Sequence, residues 1–178
     1  MSLEIIFGSM FSGKSTELIR RARRLRAINK KVVVINHSLD TRYGEGSAAV
    51  STHYGDSIEA RRYSYLKDFS TTDDLAVDTI CIDEAHFFAD LHVAVRELLK
   101  KGKHVIVAGL TGDYQRNNFG LIHKLIPIAE TITHLRAYCG LCNDGTLASF
   151  TKRLIKTDSV IDVGSKDKYV AVCGNCWS

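Results

Sequence analysis

Three groups of residues in this 178-residue chain have the types and spacing that chemistry requires. The first is Gly8-Ser9-Met10-Phe11-Ser12-Gly13-Lys14-Ser15, which satisfies G-x-x-x-x-G-K-[ST] at every fixed position. Its glycines let the backbone curl so that several N–H groups point inward at phosphate oxygens. A helix opening near Ser15 adds the positive end of its dipole. Lys14 would reach the β- and γ-phosphates, and the Ser15 hydroxyl would ligate magnesium. The second group is Asp83-Glu84, at the end of the short apolar run Thr79–Ile82. The carboxyl ends of strands in an α/β sheet face the ligand crevice. Asp83 fits a Walker B aspartate that holds magnesium, directly or through water. Glu84 fits a general base for the group that attacks the γ-phosphate. The plainer alternative is an ordinary acidic turn before the next helix.

The third group is Cys139-x-x-Cys142 and Cys173-x-x-Cys176, two knuckles separated by the thirty residues 143–172. Zinc takes four thiolates tetrahedrally, and each knuckle presents two sulfurs from one tight turn. The gap exceeds the about 15–20 residues of compact ribbons, so a loop must project from its middle. A redox dithiol is the alternative, and it has no need of two matched pairs. Cys81, inside a strand run, reads as a small buried hydrophobe.

Positioning these groups takes a definite order of elements. Leu3–Phe7 reads as a strand, followed by the glycine-rich loop and a helix with Leu18, Ala22, Leu25 and Ile28 on one stripe. Arg20, Arg21, Arg23, Arg24 and Arg26 occupy much of the rest of that helix, as a solvated face, a subunit contact or a nucleic-acid surface. Val32–Ile35 is four β-branched residues in a row, which suggests a strand buried on both faces. Asn36–Ser57 has no clear apolar period and reads as a long, partly mobile segment. Thr79–Ile82 is a further strand, and Leu91, Ala94, Val95, Leu98 and Leu99 mark a second amphipathic helix. Gly102 is placed as its C′ residue. His104–Ala108 is another strand, Phe119–Ile126 reads as a short helix limited by Pro127, and Ile132–Tyr138 as extended. This order predicts a parallel α/β sheet. From Cys139 onward the segments shorten, so two domains are expected, 1–135 for nucleotide binding and 136–178 for the cysteines.

Composition bounds the function classes. The chain is 45% hydrophobic and 25% charged, enough for a buried core, and no run approaches the roughly 18 apolar residues of a membrane span. The formal net charge of +4 is a mild excess that fits anionic ligands and does not by itself imply nucleic-acid binding. Five cysteines and no visible export signal favour metal binding in a cytoplasmic protein over a disulfide framework. Asp83-Glu84-Ala85-His86 also spells a helicase motif. Such helicases need two tandem motor domains, which 178 residues cannot supply.

Taken together, the motifs closely resemble thymidine kinases of the cellular and poxvirus type, from Ile5 to Trp177. The matching segments are Gly8–Leu18, Asp40-Thr41-Arg42-Tyr43, Ile82–Phe88, Gly112–Arg116 with Phe119-Gly120, Thr151–Leu154 and Gly164–Tyr169. The resemblance implies a P-loop α/β domain and a small zinc domain carrying a lasso loop. It implies transfer of the ATP γ-phosphate to the 5′-hydroxyl of thymidine, and of deoxyuridine, with magnesium. Glu84 would be the catalytic base and Asp83 the magnesium partner, with Ala85 and His86 completing the nucleotide site. Asp40, Thr41 and Arg42 would lie near the phosphates. Phe87, Tyr114 and Phe119 would line the nucleoside pocket. Val160, Ile161, Asp162, Val163 and Gly164 would form the lasso that holds thymine through main-chain bonds, supported by Tyr169. A homotetramer inhibited by dTTP is implied, with neither membrane nor nucleic acid as a partner.

The chain departs from that pattern at His86, where many relatives have glutamine. It departs again at Thr111-Gly112-Asp113-Tyr114, in place of a more usual Asp-Gly-Thr-Phe, and at Asn117-Asn118, in place of a basic-proline pair. Only two residues follow Cys176, which leaves out a C-terminal regulatory tail. Phe87 and Phe88 also read as core, and Tyr169 as an ordinary residue of an alternating strand. Two other classes remain open on the residues alone. One is a P-loop regulatory switch with slow turnover, and the other a zinc-ribbon nucleic-acid binder using Arg20–Arg26.

Overall fold

The computed structural model describes residues 1–40, 49–51, 56–69, 76–155 and 168–178. Alternating apolar residues build its centre. Among the described residues, β1 (Ser2–Gly8), β2 (Val32–His37), β5 (Arg61–Tyr63), β6 (Thr79–Ile82), β7 (His104–Gly109) and β8 (Thr131–Leu135) form one sheet in the order β5-β2-β6-β7-β1-β8. Every pairing in it is parallel. Parallel strands need crossover connections, which place helices on both faces.

The pleat divides the strand residues between two cores. Leu3, Ile5, Ile35, Ile80, Ile82, Val105 and Val107 face the helix α2 (Leu91–Lys100) and the 3-10 turns Ile122–Ile128. Ile6, Val32, Val34, Cys81, Ile106 and Ala108 face the helix α1 (Lys14–Ala27). A hairpin of β3 (Ala49–Ser51) and β4 (Ser57–Glu59) covers the α1 side through Val50 and Ile58. Gly102 ends α2 as expected, at φ 77°.

Two expectations are corrected. The α1 stripe is Leu18, Ile19 and Ala22 with Leu25 at its rim, whereas Ile28 is 66% exposed because the helix has already ended at Ala27. The helix expected over Phe119–Ile126 is displaced to 3-10 turns over Ile122–Ile128 with Pro127 inside them. Segment 36–57 contributes the end of β2, the strand β3 and the first residue of β4. Strands of three residues are too short to show a period. Residues 41–48 and 52–55 in that stretch lie outside the described residues.

After β8 the chain forms two small antiparallel pairs. β9 (Ala137–Tyr138) pairs with β10 (Leu147–Ala148), and β11 (Phe150–Arg153) with β12 (Tyr169–Val172). A single turn, α3 (Gly174–Trp177), follows. The core here is Ala137, Cys139, Ala148, Ala171, Val172 and Cys173, with Phe11 from the glycine-rich loop packed against it. Among the described residues no helix is long and apolar enough to cross a membrane.

Candidate active site and cysteine cluster

The glycine-rich loop leaves the carboxyl end of β1 and runs into α1. A Cβ at Gly8 would sit 2.0 Å from the Leu135 carbonyl oxygen, so only glycine lets β1 and β8 run this close. Gly13 caps α1 at φ 84°, and Phe11 is also left-handed, at φ 63°. Lys14 is buried, and its Nζ donates to the Ser9 carbonyl at 2.8 Å across the loop. The Ser12 Oγ is buried without a hydrogen-bond partner among the described residues. An orphaned hydroxyl and a lysine folded back onto a carbonyl are groups that an anionic ligand would satisfy.

The outer side of the loop is tied to the cysteine-bearing segment. Ser9 Oγ donates to the Ala148 carbonyl at 3.2 Å, and the Met10 N–H to Thr151 Oγ1 at 3.0 Å. Sequence reading missed this tie, because a contact between residues 141 apart leaves no local pattern.

Asp83 and Glu84 follow β6 at the same carboxyl edge. β7 lies between β6 and β1. The strands that carry the acidic pair and the glycine-rich loop are therefore two strand spacings apart, about 10 Å. The Asp83 N–H donates to the Ile35 carbonyl at 2.8 Å, which continues the β2–β6 ladder through this residue. Glu84 adopts φ 48°, ψ 38° and is only 9% exposed. A non-glycine residue in this region costs about 1–2 kcal/mol, and such strain concentrates at functional sites.

His86, in the 3-10 turn Ala85–Phe87, is fixed on several sides. The Leu110 N–H donates to its Nδ1 at 3.1 Å, and its Nε2 lies 3.4 Å from Glu84 Oε2. Its ring packs tilted against Phe87 at 4.2 Å and Phe119 at 4.7 Å, and Phe87 meets Phe119 edge-on at 5.9 Å. The structure thus brings Glu84, His86, Phe87 and Phe119 together. Phe88 points into the core. The third aromatic expected near the nucleoside, Tyr114, packs its ring under the Arg153 guanidinium at 4.0 Å, and Arg153 also donates to the Tyr169 hydroxyl at 2.9 Å.

Asp40 is buried after β2 and accepts from Asn36 Nδ2 at 2.9 Å. Nearby His37 packs edge-on against Phe88, and burial lowers its pKa. Thr41 and Arg42, and all of Val160, Ile161, Asp162, Val163 and Gly164, lie outside the described residues.

The four cysteines converge. The sulfurs of Cys139, Cys142, Cys173 and Cys176 all lie within 4.8 Å of one another. Cys142 Sγ stands 3.7 Å from Cys173 Sγ and 3.4 Å from Cys176 Sγ. Those separations are well beyond a disulfide of about 2.05 Å. They approach the about 3.8 Å expected of tetrahedral ligands at about 2.3 Å from zinc. The N–H groups of Cys142, Cys173 and Leu141 face the Cys139 sulfur and lower its pKa to about 6. The Cys142 thiol, hydrogen-bonded to Cys176, Cys139 and Cys173, is pushed up to about 12. A lowered and a raised thiol in contact resist ionising together unless a cation compensates, and the donor set fits zinc. Cys81, by contrast, is fully buried, and burial pushes its thiol up to about 12, in keeping with a core role.

The fold and site define a mixed α/β protein with a central parallel sheet and a cysteine cluster that could bind zinc. Residues 1–177 match the family described as thymidine kinase. The thymidine kinase of Fowlpox virus (strain NVSL) is 42% identical over 179 residues, covering 99% of this chain and 96% of that one. The cytosolic thymidine kinase of Gallus gallus is 41% identical over 175 residues, covering 98% of this chain and 76% of its own. That of Homo sapiens is 41% identical over 175 residues, with 98% and 72% covered. The chain belongs to the thymidine kinase family and is an enzyme, a kinase.

Proposed function

We propose that this chain transfers the γ-phosphate of ATP to the 5′-hydroxyl of thymidine to give dTMP, with deoxyuridine as a second acceptor. Family membership supplies the reaction class. The observation that carries the reading is the buried Glu84 carboxylate, held on strained backbone at the carboxyl edge of the sheet.

In this reading residues 8–15 are a P-loop. Lys14 exchanges the Ser9 carbonyl for phosphate oxygens, and the loop N–H groups hold the β-phosphate. Ser15 and Asp83 offer the hard oxygen donors that magnesium prefers, and the ion, when bound, would shield phosphate charge. Glu84 accepts the proton of the 5′-hydroxyl as that oxygen attacks, and Phe87 and Phe119 flank the nucleoside. Ala85 and His86 line the nucleotide side of the turn. Asp40, Thr41 and Arg42 belong near the phosphates, with Arg42 steadying charge on the transferring group.

Residues 1–135 and 136–178 would act as two domains. The second is fixed by zinc on Cys139, Cys142, Cys173 and Cys176, and its residues Val160–Gly164 read the thymine edge through the main chain, with Tyr169 and Tyr114 in support. A cytoplasmic homotetramer inhibited by dTTP completes the proposal. The test is ATP and magnesium with a panel of deoxynucleosides. Thymidine and deoxyuridine should yield monophosphates and deoxyguanosine should not, while ADP release without nucleoside stays low. Turnover of ATP that ignores thymidine would overturn the reading.

A further inference from the structure

We propose that His86 is a positioning residue. It is a neutral imidazole locked in the Nε2–H tautomer, and it aims its one proton at Glu84 Oε2 and so fixes the direction of the base. The inference rests on Glu84 being the base.

The lock comes from backbone. Leu110 follows β7, and its N–H points at His86 Nδ1 from 3.1 Å. A backbone N–H can only donate, so that nitrogen must accept and the ring proton must reside on Nε2. The other tautomer, or an imidazolium, would set two N–H groups against each other. The side chain is 1% exposed, so water has no room to relieve such a clash.

The ring is also held in place. A Cβ at Gly109 would come within 3.0 Å of His86 Nδ1, and one at Gly120 within 2.2 Å of the His86 carbonyl oxygen, at φ 66°. Two glycines thus allow two backbone segments to close on one residue. Phe87 and Phe119 cover the ring.

The remaining ring nitrogen, Nε2, is the one near Glu84. Its 3.4 Å to Oε2 is longer than an ordinary hydrogen bond, as catalytic contacts often are before substrate binds. Rotation about the terminal torsion of a glutamate is soft. A donor on Oε2 sets the plane of the carboxylate and therefore the way Oε1 faces. The aromatic pair that holds the ring is the same pair proposed to flank the nucleoside, so one residue links pocket and base.

Glutamine offers one carbonyl acceptor and one amide donor at similar reach, and phenylalanine offers the ring with neither. His86→Gln should therefore recover most of the kcat that His86→Phe loses. His86→Phe should lower kcat by about 10²-fold, the size that a misplaced catalytic group costs, with a much smaller change in thymidine KM. A residue that only fills space gives the reverse order, and that order overturns the proposal. A further measurement needs no variant and no turnover. Imidazole ¹⁵N shifts in the unliganded protein should assign His86 to the Nε2–H tautomer, and the Nδ1–H tautomer overturns the lock. If His86→Phe does not fold, the tautomer measurement still decides. If the wild-type protein fails to phosphorylate thymidine, the proposed function falls, while the tautomer measurement tests the lock by itself.

Discussion

At the carboxyl edge of the sheet, Glu84 and His86 follow strands whose residues are buried on both faces by large aliphatic side chains. Around the cysteines the buried residues are chiefly alanines and the cysteines themselves, between strand pairs of two to four residues. Apolar burial contributes roughly 25 cal/mol per Å², so a core of small side chains yields little. The first region can hold a strained glutamate and a buried histidine with its own packing and backbone hydrogen bonds. The second has four donors and little packing, and a metal would supply what its core does not. The two meet at Ser9, Met10 and Phe11, so loss of order around the cysteines would be felt at the glycine-rich loop.

The largest expected effect breaks the second region and spares the first. Elemental analysis should find one zinc per chain. Chelation, or Cys176→Ser, should release the amides of 137–155 and 168–178 to hydrogen exchange while β1, β6 and β7 stay protected. Structural zinc in small domains contributes about 10–16 kcal/mol of apparent binding energy, far beyond what such a core offers. Thymidine KM should rise with the loss. Metal-free protein with full protection and full activity would refute the zinc assignment.

The next effect runs the other way. Glu84→Gln keeps shape and removes the proton acceptor. Turnover should fall by about 10²–10⁴, or about 3–5 kcal/mol of barrier, with the thermal midpoint not lowered. Hydrogen exchange in both regions should be unchanged. A variant with near wild-type kcat would remove Glu84 as the base.

What could be read beforehand follows the same division. β1, the glycine-rich loop, α1, β2, β6, α2 and β7 were legible because aliphatic runs, one helical period and two motifs are local signals. The cysteine pairing was legible for the same reason, since Cys-x-x-Cys carries its own geometry. The clasp between Met10 and Thr151 was not, and neither was the closure of Gly109 and Gly120 on His86. Each joins residues far apart in sequence that no period connects. Gly120 stood beside Phe119 in a matched segment, which marked it without saying why glycine was needed. His86 stood out in the sequence as a departure, and its meaning lies in one backbone N–H of β7's exit.

The smallest effect tests the seam between the regions. Arg116 sits at φ 66° in the loop after β7, and its guanidinium lies 3.8 Å from the Phe150 ring and 4.0 Å from the Trp177 ring. Trp177 Nε1 donates to the Tyr114 carbonyl at 3.1 Å, so α3 is bound to that loop twice. A cation between two rings contributes about 0.5–2 kcal/mol, and a planar guanidinium suits the slot better than an ammonium. Arg116→Ala should therefore lower the opening free energy of β11 and α3 amides by about 1–2 kcal/mol, and Arg116→Lys by less. Strands β6 and β7 lie on the far side of the seam and should keep their exchange rates, and kcat should change little, because Arg116 touches neither Glu84 nor the glycine-rich loop in the contacts described above. Equal loosening of the sheet and the cysteine segment would mean that the two regions open as one unit.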